Sequence, residues 1–177
     1  MKTCSLYGFV LALAGALLTL ALYFLGFHSD PAKLTAAKWI GGLGGVAIAV
    51  TVTALGVKAR RAEVPESEEF GYGRALGAGA LLSLVASSLS AVFAYAYYGF
   101  INPGFTDILL QDQMDRLQAK GISGAQLDQA EKFTRFFMGP GVQGVSTLIA
   151  GFIFGFIISL IVAAFLKRAA PEGPPKV

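Results

Sequence analysis

Three features of this sequence predict an all-α membrane protein with four transmembrane helices. The mean hydropathy is +0.63. Of its 177 residues, 55% are hydrophobic and only 14% are charged, where soluble domains carry about 25% charged residues. The charges are also segregated, with none in 5–27, 39–57, 75–102 or 141–166. Each run approaches or exceeds the ~20 residues that a helix rising 1.5 Å per residue needs to cross ~30 Å of hydrocarbon. Only helices and closed barrels span bilayers, and barrel strands are alternating segments of about ten residues, which these runs are not.

The predicted spans are 5–27, 34–57, 74–101 and 141–166, with an extramembrane amphipathic helical hairpin over 103–138 and a disordered tail over 169–177. The first apolar run, behind Lys2, is about twice as long as a signal-peptide core and is expected to remain as an anchor. Asp30 and Pro31 read as the cap and first position of the second helix. The connection from Lys58 to Arg74 carries Lys58, Arg60 and Arg61, then four acidic residues around Pro65, and is expected to be exposed and mobile. An internal repeat follows. Ala14 to Leu20 matches Ala78 to Leu84 with one Thr/Ser change, and Gly26 to Pro31 is echoed by Gly99 to Pro103 in the same order. Duplication of a two-helix unit predicts two tandem helical hairpins, related about an axis along the membrane normal.

Between the third and fourth spans the period becomes helical again. Phe105, Ile108, Leu109, Leu110, Met114 and Leu117 oppose Asp112, Asp115, Arg116 and Gln118. Asn102 and Pro103 offer a start, and Gly121 a left-handed stop. A second helix is predicted from Ser123, whose capping box with Gln126 is joined by an Ile122–Leu127 staple. Leu127, Ala130, Phe133, Thr134 and Phe137 form its stripe.

Lys2, Lys58, Arg60, Arg61, Arg74, Lys167, Arg168 and Lys176 fall on one side of the spans. Their clustering against the apolar runs predicts that this side, with both termini, is cytoplasmic. Tyr23, Phe24, Phe27, Trp39, Tyr95, Tyr97, Tyr98, Phe100 and Phe105 crowd the other side as an interfacial belt. The net charge of +3 comes from helix-end residues and gives no reason to expect nucleic acid binding.

Chemistry is sparse. No carboxylate, histidine or arginine lies deep in a span, and such groups mark proton relays and coupled transport. The chain has one cysteine, Cys4, and one histidine, His28. His28 with Asp30 is the only pair resembling a metal site, and too few ligands surround it; an exposed loop histidine is expected. Gly71-Tyr72-Gly73 lacks the context of a nucleotide fingerprint, and no nucleophile elbow is present. No catalytic, cofactor or metal residues are therefore assigned, and no enzyme is expected. Small residues instead repeat at helical spacing: Gly41 and Gly45, Gly73 and Gly77, Gly151 and Gly155, with Ser83, Ser87 and Ser90 along one face. These suit close helix packing.

The stretch Phe70-Gly71-Tyr72-Gly73-Arg74-Ala75-Leu76, with Tyr97-Tyr98-Gly99-Phe100-Ile101-Asn102-Pro103-Gly104-Phe105 and the closing Ala163-Ala164-Phe165-Leu166-Lys167-Arg168, resembles the family called domain of unknown function 4199. The resemblance covers nearly the whole chain. It implies a bacterial four-helix protein of the inner membrane with no established activity, and it carries over no site residues.

The expectation is a non-enzymatic multi-pass interaction or accessory component. Leu110, Met114, Leu117, Leu127, Phe133 and Phe137 would contact the lipid bilayer or another membrane or extracytoplasmic protein, and a homo-oligomer is a further expectation. The competing expectation is a small channel or carrier for an uncharged or lipidic solute, lined by Ser83, Ser87 and Ser90.

Overall fold

The structure, a computed structural model, describes residues 1–169; most of the predicted tail over 169–177 lies outside them. Six α-helices follow one another: α1 (Lys2–Phe24), α2 (Leu34–Ala62), α3 (Tyr72–Ala96), α4 (Phe105–Ala119), α5 (Ala125–Phe137) and α6 (Pro140–Leu166). A 3-10 turn, Pro31–Lys33, precedes α2, and a π turn, Tyr97–Ile101, continues α3. With those turns included, four of the helices, at 23, 32, 30 and 27 residues, are long and apolar enough to cross a membrane.

The helix limits follow local chemistry. The first helix stops at Phe24, short of the predicted 27, because Gly26 adopts φ +76°. There the Gly26 and Phe27 amides donate to the Tyr23 and Leu22 carbonyls, both at 2.9 Å, a Schellman cap that glycine accommodates without strain. Asp30 caps the 3-10 turn as predicted, accepting from the Ala32 amide at 3.0 Å with Pro31 following. Helix α2 runs past the predicted 57 to Ala62 because Lys58, Arg60 and Arg61 are good helix formers and no breaker precedes Pro65.

The chain packs as two compact units. Among the described residues one comprises 1–14, 46–89 and the chain from 149 on; the other, 15–45 and 90–148. The first has a core of Cys4, Val57, Phe70, Ala75, Ala78, Leu82, Ile158, Val162 and Ala163. Its helices approach through small residues. A Cβ on Gly155 would stand 2.6 Å from Ser83 Oγ, and one on Gly79 would stand 2.5 Å from Ser159 Oγ. Ser83 and Ser159 lie 3.4 Å apart, and Ser159 also donates to the Gly155 carbonyl at 2.7 Å. Ser87 packs against Gly151 at 3.4 Å from its notional Cβ. Where lipid competes equally for apolar surface, such close approach supplies the dispersion that holds helices together.

The connection after α2 differs from the expected mobile loop. Phe70 is buried, and its backbone pairs with Arg168 through bonds of 2.8 and 3.1 Å. The Arg168 guanidinium donates to the carbonyls of Val64, Pro65 and Glu68. One inserted aromatic and one arginine serving three carbonyls give this polar stretch a fixed path.

Replacing Gly155 with Val should cost about 1–3 kcal/mol of stability through overpacking against Ser83. Replacing Gly77, whose Cβ would meet nothing within 4 Å, with Ala should instead stabilise its helix by about 0.5–1 kcal/mol. Thermal unfolding of the two variants in detergent measures the contrast; equal effects would refute it.

Candidate functional site

The second unit is organised around Tyr97. The π turn of Tyr97–Ile101 closes with the Asn102 amide donating to the Tyr97 carbonyl at 2.8 Å. π turns of this kind recur where a helix is re-aimed at functional positions. Tyr97 is only 2% exposed and sits among Tyr23, His28, Phe93, Tyr98 and Phe105, with ring centroids 5.6 to 6.1 Å from its own. The predicted belt therefore divides. Tyr97 and Phe105 are core, with Leu34 beside them, whereas Phe24, Trp39, Tyr95 and Phe100 are exposed.

His28 is the larger departure. It is 8% exposed rather than an open loop residue, and it stacks on Phe105 at 4.3 Å with 21° between the rings. Its Nδ1 lies 2.6 Å from the Tyr97 hydroxyl, and Asn102 Nδ2 donates to that same oxygen at 3.1 Å. An amide nitrogen only donates, so the single hydroxyl proton of Tyr97 is free for His28 Nδ1. The hydroxyl can donate to Nδ1 or accept from it, so the bond fits either neutral tautomer of His28. Burial pushes the His28 pKa below its ordinary 6.5, in keeping with a neutral ring. Asn102 is consequently not the start of α4. That helix begins at Phe105 after Gly104, and the Asn102 side chain is turned toward Tyr97.

A cavity of about 470 Å³ adjoins this network. Its walls include Thr19 and Leu22 of α1, Gly41, Gly42 and Gly45 of α2, Ser90 and Phe93 of α3, Thr147 of α6, and His28 and Tyr97. Among the described residues Lys38 is the only charged one on the lining, and it pairs with Asp112 of α4 at 3.1 Å. Asp112 also takes Arg116 at 3.1 Å. Burial opposes its charge, but hydrogen bonds from Lys38 and Arg116 prevail and hold its carboxyl below the usual range.

The predicted interaction face separates along the α4–α5 pair. Leu110 and Met114 are buried, Leu117 and Leu127 are half-buried, and Phe133 and Phe137 are exposed along with Phe136. The stop of α4 is as predicted: Gly121 at φ +85°, with bonds from Gly121 to Gln118 and from Ile122 to Leu117. The start of α5 is not. Gly124, at φ +58°, precedes Ala125, and no side chain caps the helix, so the Ser123–Gln126 capping box does not form. A glycine able to turn the chain with positive φ replaces it.

The glycines and serines also separate. Gly151 and Gly155 meet Ser87 and Ser83, while a Cβ on Gly73 or Gly77 would meet nothing within 4 Å. Gly41, Gly45 and Ser90 line the cavity of the second unit. The first unit has a cavity of about 520 Å³ near Cys4 and Phe70. Its charged residues are satisfied among themselves, Arg60 with Glu63 at 2.5 Å and Arg74 with Glu68 at 3.1 Å. Thr3, ahead of Arg60, holds the exposed Glu63 carboxyl below its ordinary range. Among the described residues no cluster of His, Cys, Asp or Glu suited to a metal ion occurs. The sequence reading placed Tyr97 in the interfacial belt, Asn102 at a helix start and His28 in an exposed loop, and nothing in it joined the three.

These elements define a class: among the described residues every long element is a helix, and four helices are of membrane-spanning length. The chain belongs to the family described as protein of unknown function (DUF4199), whose model matches residues 6–168. Comparison with curated proteins and with solved structures returns no match to either.

Removing the Tyr97 hydroxyl, Tyr97→Phe, should cost about 1–3 kcal/mol, because His28 Nδ1 and Asn102 Nδ2 lose their shared partner in a buried setting. Because the folded-state pKa of His28 is depressed, the unfolded chain binds its proton first. Stability should therefore fall as pH drops below 6.5 toward the folded value. Melting temperatures of wild type and His28→Phe across mildly acidic pH check this; parallel curves would refute it.

Proposed function

We propose that this chain is a non-enzymatic multi-pass protein of a bacterial cytoplasmic membrane, acting as an accessory component with both termini cytoplasmic. In this reading its spans form two tandem helical hairpins, and the α4–α5 pair lies outside the membrane as the interaction element. The clustering of Lys58, Arg60, Arg61, Lys167 and Arg168 beside the apolar runs supports the orientation. The internal repeat supports the tandem arrangement. The single histidine is engaged by Tyr97 and stacked on Phe105, which supports the non-enzymatic reading.

One observation carries the interaction reading. Helix α4 is anchored, with Phe105, Leu110 and Met114 buried and Asp112 held by Lys38. Helix α5 instead presents Phe133, Phe136 and Phe137, at 66, 66 and 46% exposure, beside Lys132 and Arg135. Apolar span α6 begins at Pro140, three residues after Phe137, which keeps these rings close to the membrane surface. Aromatic rings with flanking cations, so near a span, suit the boundary between headgroups and acyl chains. The lipid interface is therefore the assigned occupant of the α5 face.

Photo-crosslinking probes at Phe133 and Met114, in membranes, test this. Lipid adducts at Phe133 and their absence at Met114 are expected, and Phe133→Ser with Phe137→Ser should increase solvent quenching of a fluorophore on α5. A discrete protein adduct at Phe133 would transfer the face to a protein partner. A probe that captures only water would remove the interaction role.

A further inference from the structure

The first unit's cavity, about 520 Å³, lies within the roughly 300–1,000 Å³ common for small-molecule sites. Its wall changes character along α3. Arg60, near the end of α2, and Arg74, near the start of α3, share the lining with Glu63 and Glu68. The charge-free run 75–102 begins directly after Arg74, and Gly77, Ala78 and Leu81 carry the lining into it. Leu81 stands seven residues beyond Arg74, about 10 Å along a helix rising 1.5 Å per residue. Buried Phe70 adds a further apolar side chain to the same lining. A Cβ on Gly77 would meet nothing within 4 Å, so this residue leaves the apolar portion open.

The ion pairs of this wall leave donors and acceptors to spare. Among the described residues Arg60 bonds the chain only through Nη1, to Glu63, and Arg74 only through Nη1, to Glu68 and the Glu69 carbonyl. A guanidinium carries five N–H donors in a fork that fits two phosphate oxygens, so Nε and Nη2 of both arginines are left over. Side-chain exposures are 36 and 42% for Arg60 and Glu63, and 58 and 54% for Arg74 and Glu68. Pairs so exposed hold their partners weakly. Both signs of charge are therefore open to a ligand, beside apolar lining.

We propose that this cavity binds a zwitterionic phospholipid whose headgroup ends in a primary ammonium, its phosphate taken by Arg60 and Arg74 and its ammonium by Glu63 and Glu68. The glycerol and first acyl carbons lie along Gly77, Ala78 and Leu81. Each half of the recognition follows from the wall. Opposite charges in equal number match a headgroup carrying both signs, whereas an anionic lipid would bring a charge that no surplus cation meets. A carboxylate accepts hydrogen bonds from an ammonium but none from a quaternary choline nitrogen, which has no N–H. The inference rests on the proposed membrane insertion and on nothing assigned to α5.

The test places the full chain in phosphatidylcholine nanodiscs. Co-elution with the discs is scored before any labelling, so a failure to insert is distinguished from a failure to bind. The probe is a phosphatidylethanolamine with a diazirine near the glycerol end of one acyl chain. Irradiation and peptide mapping should give saturable adducts within 70–81 despite the excess of choline lipid. Unlabelled phosphatidylethanolamine should compete for them, and phosphatidylglycerol should compete about tenfold less well, the scale of one charge-assisted hydrogen bond. Arg74→Gln should lower saturable labelling about tenfold for the same reason. Gly77→Leu, which fills the apolar portion, should lower it as much without lowering the melting temperature. Glu63→Gln with Glu68→Gln should raise phosphatidylglycerol to the ethanolamine lipid's level as a competitor. Labelling that rises linearly with probe, spreads evenly over lipid-facing helices, or ignores both Arg74→Gln and Gly77→Leu would overturn the site. Phosphatidylglycerol competing equally against the wild type would overturn the preference for a zwitterion. Water-soluble glycerophosphoethanolamine competing as well as the intact lipid would overturn the lipid as the ligand's source.

Discussion

An apolar segment that must leave water keeps one burden that its side chains cannot discharge: every backbone N–H and C=O still needs a partner. In a continuous chain without sheet neighbours only the helix meets that demand from within. Everything else here depends on it. Because α1, α2, α3 and α6 satisfy their own backbones, the protein's remaining choices concern where each helix stops and which side chains approach one another. The stops are made by few residues. Gly26 closes α1 and Gly121 closes α4 with left-handed turns, while Asp30 and Pro31 open the turn before α2.

Packing within the first unit shows how helices associate where burial of apolar surface adds little. Gly155 against Ser83 and Gly79 against Ser159 form reciprocal contacts, glycine on one helix facing serine on the other. The paired hydroxyls lie 3.4 Å apart, so polar atoms placed in an apolar setting satisfy each other. The polar connection after α2 is treated in the same way, its carbonyls taken by Arg168 and its one large apolar side chain, Phe70, buried.

The second unit follows a different logic. Gly15, Gly42 and Gly45 on its cavity wall have open space where a Cβ would stand, whereas Gly144 sits close against the Ala91 carbonyl, and hydrogen bonds link Asn102 through Tyr97 to His28. The donor-only amide nitrogen of Asn102 fixes the first bond, into the Tyr97 oxygen, and that same oxygen holds His28 Nδ1. Phe105 covers the other face of that ring, and α4 is held in place by Lys38 and Asp112. The π turn at Tyr97 is the local distortion accompanying this arrangement, and it falls where the predicted helix gave no sign of changing its pitch.

The sequence by itself determined the element types, the four apolar helices and the amphipathic α4 and α5, because those rest on periodicity and composition that are local along the chain. It also indicated Gly121 and Asp30–Pro31, whose effects reach only a turn away, whereas α1 stops at Phe24, three residues short of the predicted 27. Tertiary structure decided which small residues touch: Gly151 and Gly155 do, while Gly73 and Gly77 do not, though both pairs share the same spacing. It decided that Leu110 and Met114 are buried and Phe133 exposed, a division that a single stripe of apolar residues cannot express. Above all it brought His28 to Tyr97 across 69 positions of sequence. No pattern along the chain encodes that meeting, because it depends on the rotation of helices about their own axes, and that rotation is set by the sum of contacts made with every neighbour.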